Sequence, residues 1–296
     1  MARFRISSHG RLQDWVAVER GYFDEEGLDY ELDVVALERA AAGVAGAADP
    51  DVRGDIRVGA YEFFGKQAPG KRDMSCACHW AVNQAASDQH GRMWGHAYSI
   101  LPSGIYVGGD SEIRRPDDLA GVAVAVGYHS GSHFSAIQAL EAVLDPEQIS
   151  LRFVGMPYDR VDALLDDTVP AANIWGAATY LLEQQGFRKV LDSTFMAGFL
   201  FSAHIDPDDV EKYFKGLKRA QMDIDYEPER YKHYYLKEIP ERFHDMIDVR
   251  GFGSGERVVF LPYTRETYER SQEWMRERHL FEDAPPAQEF TSVVQL

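Results

Sequence analysis

Trp15-Val-Ala-Val-Glu-Arg-Gly-Tyr-Phe-Asp-Glu-Glu-Gly-Leu-Asp-Tyr-Glu-Leu32 is the stretch from which the architecture is read. Leu12, Trp15 and Val16, with Val18 near the edge, recur at helical spacing over residues 12–20. Gly21 and Gly27 bracket a helix end and a turn, and Tyr30–Leu37 reads as a strand. Upstream, Arg3–Ser7 alternates as a short strand, and Ser8-His9-Gly10 turns the chain into the helix. The opening is therefore strand, helix, strand.

The same alternation continues downstream. Residues 38–48 are Ala-rich and read as helix, Asp55–Val58 and Met74–Ala77 as short strands, and His79–Ser87 as helix. Arg92–Tyr98 and Gly104–Gly108 read as strands, and Pro116–Gly121 as a short helix and turn. Val122–Gly127 is a strand, followed by the loop Tyr128–His133 and a helix over Phe134–Leu144. Strands at Ile149–Val154, Ala171–Trp175 and Lys189–Asp192 then alternate with helices at Tyr158–Leu165 and Ala177–Gln185. This is the pattern of a parallel α/β sheet with short crossovers. From Pro207 the chain reads as mostly helical, broken at Gly251-Phe-Gly-Ser-Gly255, which is expected to be a flexible loop or lid. Tyr231, Tyr234 and Tyr235 have helical spacing and read as core.

The chain has 296 residues, enough for one large domain or two ordinary lobes. Its 45% hydrophobic and 27% charged content is that of a folded globular protein. A net charge of −17 argues against a broad nucleic-acid or anionic-membrane surface, yet leaves room for a local positive pocket. No apolar run approaches the roughly 18–20 residues needed to span a bilayer. No charged n-region, apolar h-region or lipid-attachable cysteine precedes the first strand, so a cytosolic location is expected. The two cysteines, Cys76 and Cys78, are too few for a disulfide scaffold. They read as free thiols, metal ligands or packing.

Four segments, taken in order, resemble the type II periplasmic-binding-protein superfamily, in the branch of sulfonate- and nitrate-type solute-binding and thiamine-pyrimidine-synthase-like proteins. They are Val16–Asp29, Gly70-Lys-Arg-Asp-Met74, Arg115-Pro-Asp-Asp-Leu-Ala-Gly121 with its following strand and Gly131-Ser132, and Glu183-Gln-Gln-Gly-Phe-Arg-Lys-Val-Leu191. The resemblance implies two α/β lobes with a ligand cleft between them. Lobe 1 would comprise residues 1–103 and 199–296, and lobe 2 residues 104–198. The crossings would fall near Pro102–Tyr106 and Ala197–Phe201. Ligands of such sheets sit beyond the carboxyl ends of the strands. That places Ser8 and His9, with Arg11, at the lobe 1 side of the cleft, and Asn173 and Trp175 at the lobe 2 side as an amide and an aromatic lid.

Two constellations carry candidate chemistry. In Tyr128-His129-Ser130-Gly131-Ser132-His133, glycine permits close backbone approach and Ser132 can cap the helix or bond an oxyanion. The free amides and helix dipole favour a carboxylate, sulfonate or phosphate. His129 and His133 add candidate general acids. In Cys76-Ala-Cys78-His79, a thiol at a helix N-terminus or beside a histidine has a lowered pKa and makes a nucleophile. The alternatives are a soft transition metal held by Cys76, Cys78 and His79, or two buried cysteines packing a strand.

The superfamily also includes enzymes that remove SO2 or CO2 from aromatic acids, such as biphenyl sulfinate desulfinase and dihydroxyphthalate decarboxylase. Ser8 stands where the desulfinase has its cysteine. The expectation is a cytosolic lyase acting on a small, possibly aromatic, acid. Cys76, Cys78, His79, His129 and His133 would be its catalytic groups. Ser130, Gly131, Ser132, Ser8, His9, Arg11, Asn173 and Trp175 would be its ligand contacts. The alternative is a non-catalytic binding protein for a small anionic solute, as in ABC-type uptake. No cofactor is required, and no nucleic-acid or membrane partner is expected.

Overall fold

The computed structural model describes residues 3–6, 11–32, 59–62, 73–281 and 287–295. The helix expected over 38–48, the strand at Asp55–Val58, the far end of the Tyr30–Leu37 strand, and Ser8 and His9 all lie outside the described residues.

Thirteen strands are described: β1 (Phe4–Ile6), β2 (Tyr30–Leu32), β3 (Met74–Cys78), β4 (Arg92–Trp94), β5 (Tyr98–Leu101), β6 (Ser103–Val107), β7 (Ala123–Val126), β8 (Ser150–Phe153), β9 (Ala171–Trp175), β10 (Arg188–Asp192), β11 (Phe195–Phe201), β12 (Arg257–Val259) and β13 (Val294–Gln295). They form two sheets. One runs β12-β5-β11-β3-β1-β2, with β4 beside β11 and β13 beside β4; the other runs β10-β6-β9-β7-β8. Every strand from Ser103 to Asp192 lies in the second sheet. The strands before Pro102 and after Ser193 lie in the first.

The sheets are mixed rather than parallel, which corrects the sequence expectation. β7 pairs parallel with β8 and β9, and β1 with β2 and β3. The two strands at the crossings run the other way. β6 is antiparallel to β9 and β10, and β11 to β3, β4 and β5. A strand that enters a sheet directly from the other sheet needs no helical crossover, and so no parallel register. The strand expected over Arg92–Tyr98 is split into β4 and β5 by Gly95–Ala97. β12 and β13 add short strands to the helical tail.

The principal helices are α1 (Leu12–Glu19), α2 (Tyr22–Glu25), α3 (His79–Ser87), α4 (Gly131–Glu141), α5 (Pro157–Leu165), α6 (Ala177–Gln184), α7 (Pro207–Tyr226) and α8 (Arg265–Glu277). Gly21 holds φ +68 at the start of α2, a left-handed turn that glycine adopts without steric cost. None of the described helices is long and apolar enough to cross a membrane.

One apolar core joins α1 and α7 to α5 and α6 through Tyr231, Tyr234, Tyr235, Phe243 and Phe252 of the tail. The loop Gly251–Gly255, expected to be flexible, is part of this packing. Phe252 is buried against Tyr180 and Tyr235, and the Gly255 amide donates to Tyr180 Oη at 3.2 Å. A second cluster centres on Trp80, Phe134 and Phe195, and a third fills the space between α4 and the second sheet. The second sheet is thus held from two sides. Arg278 bonds Glu141 on α4 at 2.7 and 3.0 Å. On the other side Arg242 pairs with Asp162 at 2.8 Å, and Gln185 donates to the Met246 carbonyl at 2.6 Å.

Candidate functional site

β7 ends at Val126, and the next six residues close a tight loop onto the N-terminus of α4. The Gly127 amide donates to Ser132 Oγ at 2.9 Å, Ser130 Oγ donates to the Gly127 carbonyl at 2.6 Å, and the two hydroxyls are 2.9 Å apart. Ser132 was expected to cap the helix or reach a ligand; instead it is fully buried and stitches the loop. Ser130 occupies the N-cap position, its carbonyl accepting from the His133 and Phe134 amides, with no side-chain cap. The helix begins at Gly131, three residues earlier than its sequence suggests. A Cβ on Gly131 would stand 2.3 Å from Phe195 Cζ, so glycine lets α4 approach β11. The first-turn amides of Gly131 and Ser132 have no partner within the helix and carry its positive dipole end.

His133 is not a poised acid. His133 is 6% exposed, and its Nδ1 has no hydrogen-bond partner. Burial, assisted by His129, pushes its pKa down to about 3, so the ring is neutral at pH 7. His129 sits at φ +41, stacks on Tyr128 and meets Glu62 Oε1 through Nδ1 at 2.5 Å. Gly59 and Tyr61 pack on the same loop; a Cβ on Gly59 would collide with the Tyr128 carbonyl. Segment 59–62 therefore brings the Gly59–Glu62 stretch against the carboxyl end of β7.

The thiols and His79 occupy a different place. Positions 76 and 78 share a strand face by the two-residue period. Even so, Cys76 packs on the larger core and Cys78 lies in the cluster around Trp80. Both are free thiols. Burial pushes the Cys78 pKa up to about 12, even though the Trp80 and Ala81 amides favour the thiolate. Burial likewise raises Cys76 well above a free thiol, against the opposing pull of Arg11. The lowered thiol pKa expected at the α3 N-terminus is therefore not present, because burial outweighs the helix-end amides. His79 is buried, pushed down to about 3 by desolvation, and shared between Tyr263 Oη at 3.1 Å and Ser271 Oγ at 3.2 Å. It ties α3 to α8. No group of three or more His, Cys, Asp or Glu side chains among the described residues could hold a metal ion, so Cys76, Cys78 and His79 do not form one.

Arg11 and Asn173 are also committed elsewhere. Arg11 Nε donates to Asp14 Oδ2 at 2.9 Å and Nη2 to Tyr213 Oη at 2.8 Å, with Glu256 3.6 Å from Nη1. Burial alone would lower its pKa; Asp14, Tyr213 and Glu256 hold it well above the usual value. The Asn173 amide donates to Ser193 Oγ at 2.8 Å and accepts from Ser103 Oγ at 3.0 Å. Trp175 is half-buried at the end of β9 and packs on the Trp80 cluster.

Arg160 was missed. It is 1% exposed on α5, with Nε bonded to the Asn173 carbonyl at 3.0 Å and Nη1 to the Gly155 carbonyl at 2.8 Å. Nη1 and Ser130 Oγ both lie within 3.0 Å of the point where a Cβ on Gly127 would stand. The guanidinium therefore abuts the β7 loop. Its signal in the sequence was a charged residue one position from Val161 and four from Leu164, on the apolar side of an amphipathic helix.

No protein-family profile and no curated protein matches the chain. Solved structures do. The alkanesulfonate-binding protein SsuA from Xanthomonas axonopodis pv. citri, bound to MOPS, superposes with TM-score 0.70 at 14% identity over 100% of this chain and 98% of its own. A Candida albicans gene product described as having the generic periplasmic binding protein structural fold gives 0.65 at 10% identity over 100% and 96%. The desulfurization enzyme DSZB gives 0.63 at 14% identity over 98% and 95%. At these identities the likeness is one of fold.

Proposed function

We propose that this chain, which has the periplasmic-binding-protein fold, binds a small organic anion between its two sheets, at the carboxyl end of β7. Residues 1–103 with 199–296 would act as one lobe and 104–198 as the other, closing on the ligand. The observation that carries this reading is the N-terminus of α4. Its first-turn amides have no partner within the helix and lie just past the end of β7, the region where ligands of such sheets sit, and the loop before it is fixed by the Gly127–Ser130–Ser132 hydrogen bonds. The sulfonate ligands of the structural relatives support the choice of an anion. Binding is favoured over catalysis because Cys78, His79 and His133 are buried and held in their neutral forms. Titration calorimetry with a series of alkanesulfonates, each beside its uncharged sulfonamide, tests the reading. One anion bound per chain and no binding of the matched neutral compound is expected. Equal binding of both would refute it.

A second reading, a lyase for a small aromatic acid, is favoured by one feature. Cys76 retains partial exposure, and the nearby Arg11 charge favours its thiolate. If it holds, biphenyl-2-sulfinate releases sulfite in the presence of the protein, and Cys76→Ala abolishes the release.

A further inference from the structure

Among the described residues two arginines are buried, and they differ in one respect. Arg11 is neutralised by Asp14 and lies 3.6 Å from Glu256. Arg160 touches only carbonyl oxygens: Asn173, Gly155 and, at 3.4 Å, Val154. Asp159, the nearest acid on its own helix, is turned to the Met156 amide at 2.7 Å. Among the described residues no carboxylate forms an ion pair with Arg160, and its Nη2 has no hydrogen-bond partner at all. Asp159 acts on the guanidinium only through space, without a direct ion pair. A buried guanidinium with an unpaired nitrogen and no bonded carboxylate is costly, and an anion reaching that nitrogen would offset the cost.

The position says what that is. The second sheet runs β10-β6-β9-β7-β8, so β7 connects through α4 to β8 on one side, while α5 leads from β8 across to β9 on the other. The chain departs in opposite directions from the ends of β7 and β9. That crevice is a topological switch point, where open α/β sheets bind ligands. Arg160 bridges it, bonded to Asn173 of β9 and lying against Gly127 at the end of β7.

We propose that Arg160 is the counter-charge of the bound anion, and that its single unpartnered nitrogen selects a monoanionic oxyanion head group, sulfonate or carboxylate, over a dianion. This assignment rests on the anion-binding reading above. Nη2 would bond one ligand oxygen while the first-turn amides of α4 take another. One positive charge balances one negative charge; a phosphate or phosphonate dianion would bring an excess charge into the same water-poor crevice.

The experiment uses the intact chain with methanesulfonate and methylphosphonate as probes at pH 8.5, where the phosphonate is a dianion. The wild-type protein is expected to bind methanesulfonate at least tenfold more tightly than methylphosphonate. Arg160→Met is expected to weaken methanesulfonate binding by roughly 30-fold or more. If the wild type binds methanesulfonate and Arg160→Met binds it equally well, the assignment of Arg160 is overturned while the anion reading stands. If the wild type binds neither probe, nor any sulfonate of the calorimetric series, the anion reading itself falls. Should Arg160→Met not fold, the wild-type selectivity decides: a dianion bound as tightly as the monoanion overturns the proposal.

Discussion

Cys78 lies at the junction of β3 and α3, 3% exposed, with its pKa pushed up to about 12 by burial. At pH 8 such a thiol is thiolate to about one part in 10⁴, whereas a free cysteine with pKa near 8.5 is about one quarter thiolate. The alkylation rate, which follows the thiolate, is therefore expected to be roughly 2,000-fold below that of the unfolded chain. Cys76 is raised in the same direction by the same cause. The assay is iodoacetamide labelling at pH 8 followed by intact-mass spectrometry, with the urea-unfolded protein as reference and Cys76→Ser and Cys78→Ser to assign each site. The same shift has a thermodynamic consequence. The folded pKa lies above the unfolded one, so the contribution is whole below about pH 8.5 and is lost as the pH rises toward 12. At pH 10 the loss is about 2 kcal/mol, and Cys78→Ala should flatten that alkaline limb by the same amount. A thiol in the folded protein that alkylates within tenfold of the unfolded rate would refute the reasoning and restore the nucleophile.

The buried histidines act at the acid end. His79 and His133 have folded pKa values of about 3, so the unfolded chain binds more protons below about 6.5, and stability is lost as the pH falls through that window. Each is expected to cost about 2 kcal/mol between pH 7 and 5, and His133→Phe should recover one such share in urea melts at pH 5. Gly131→Ala drives a methyl group into the Phe195 ring and is expected to destabilise by about 1–3 kcal/mol, a loss that Phe195→Leu should largely relieve in the double variant. Asn173→Ala removes the bonds to Ser103 and Ser193, whose hydroxyls keep each other and the Ile174 carbonyl, and is expected to lower stability by about 0.5–1.5 kcal/mol in the same assay.

Local signals carried much of this fold. The helix His79–Ser87 and the strand Ala171–Trp175 agree with their sequence reading residue for residue, because an alanine-rich run and a short apolar run between breakers decide them locally. The start of α4 did not, because Gly131-Ser132 has the composition of a loop and is made helical by its contact with Phe195. β12 was missed because three residues paired at a sheet edge leave no periodicity to read. The site was less legible than the fold. Reactivity was inferred from residue type at Cys76, Cys78, His79 and His133, but burial, which decides their ionisation, comes from helices and strands distant in sequence. His79 is fixed by Ser271, 192 residues away. Arg160 left a weak signal, a charge on the apolar side of its helix, but its contact with Asn173 of β9 and its place beside Gly127 at the end of β7 arise only in the folded sheet. The order and spacing of the strand–helix units, by contrast, are local, and they suffice for the resemblance to periplasmic binding proteins.

The most direct test of the account is a crystal structure of the wild-type protein with the tightest-binding sulfonate of the calorimetric series. The account predicts the sulfonate between the two sheets, with its oxygens on the Gly131 and Ser132 amides. An anion seated elsewhere, such as in the surface depression lined by Tyr268, Gln272, Arg276 and Phe290, with the end of β7 left to solvent, would contradict it.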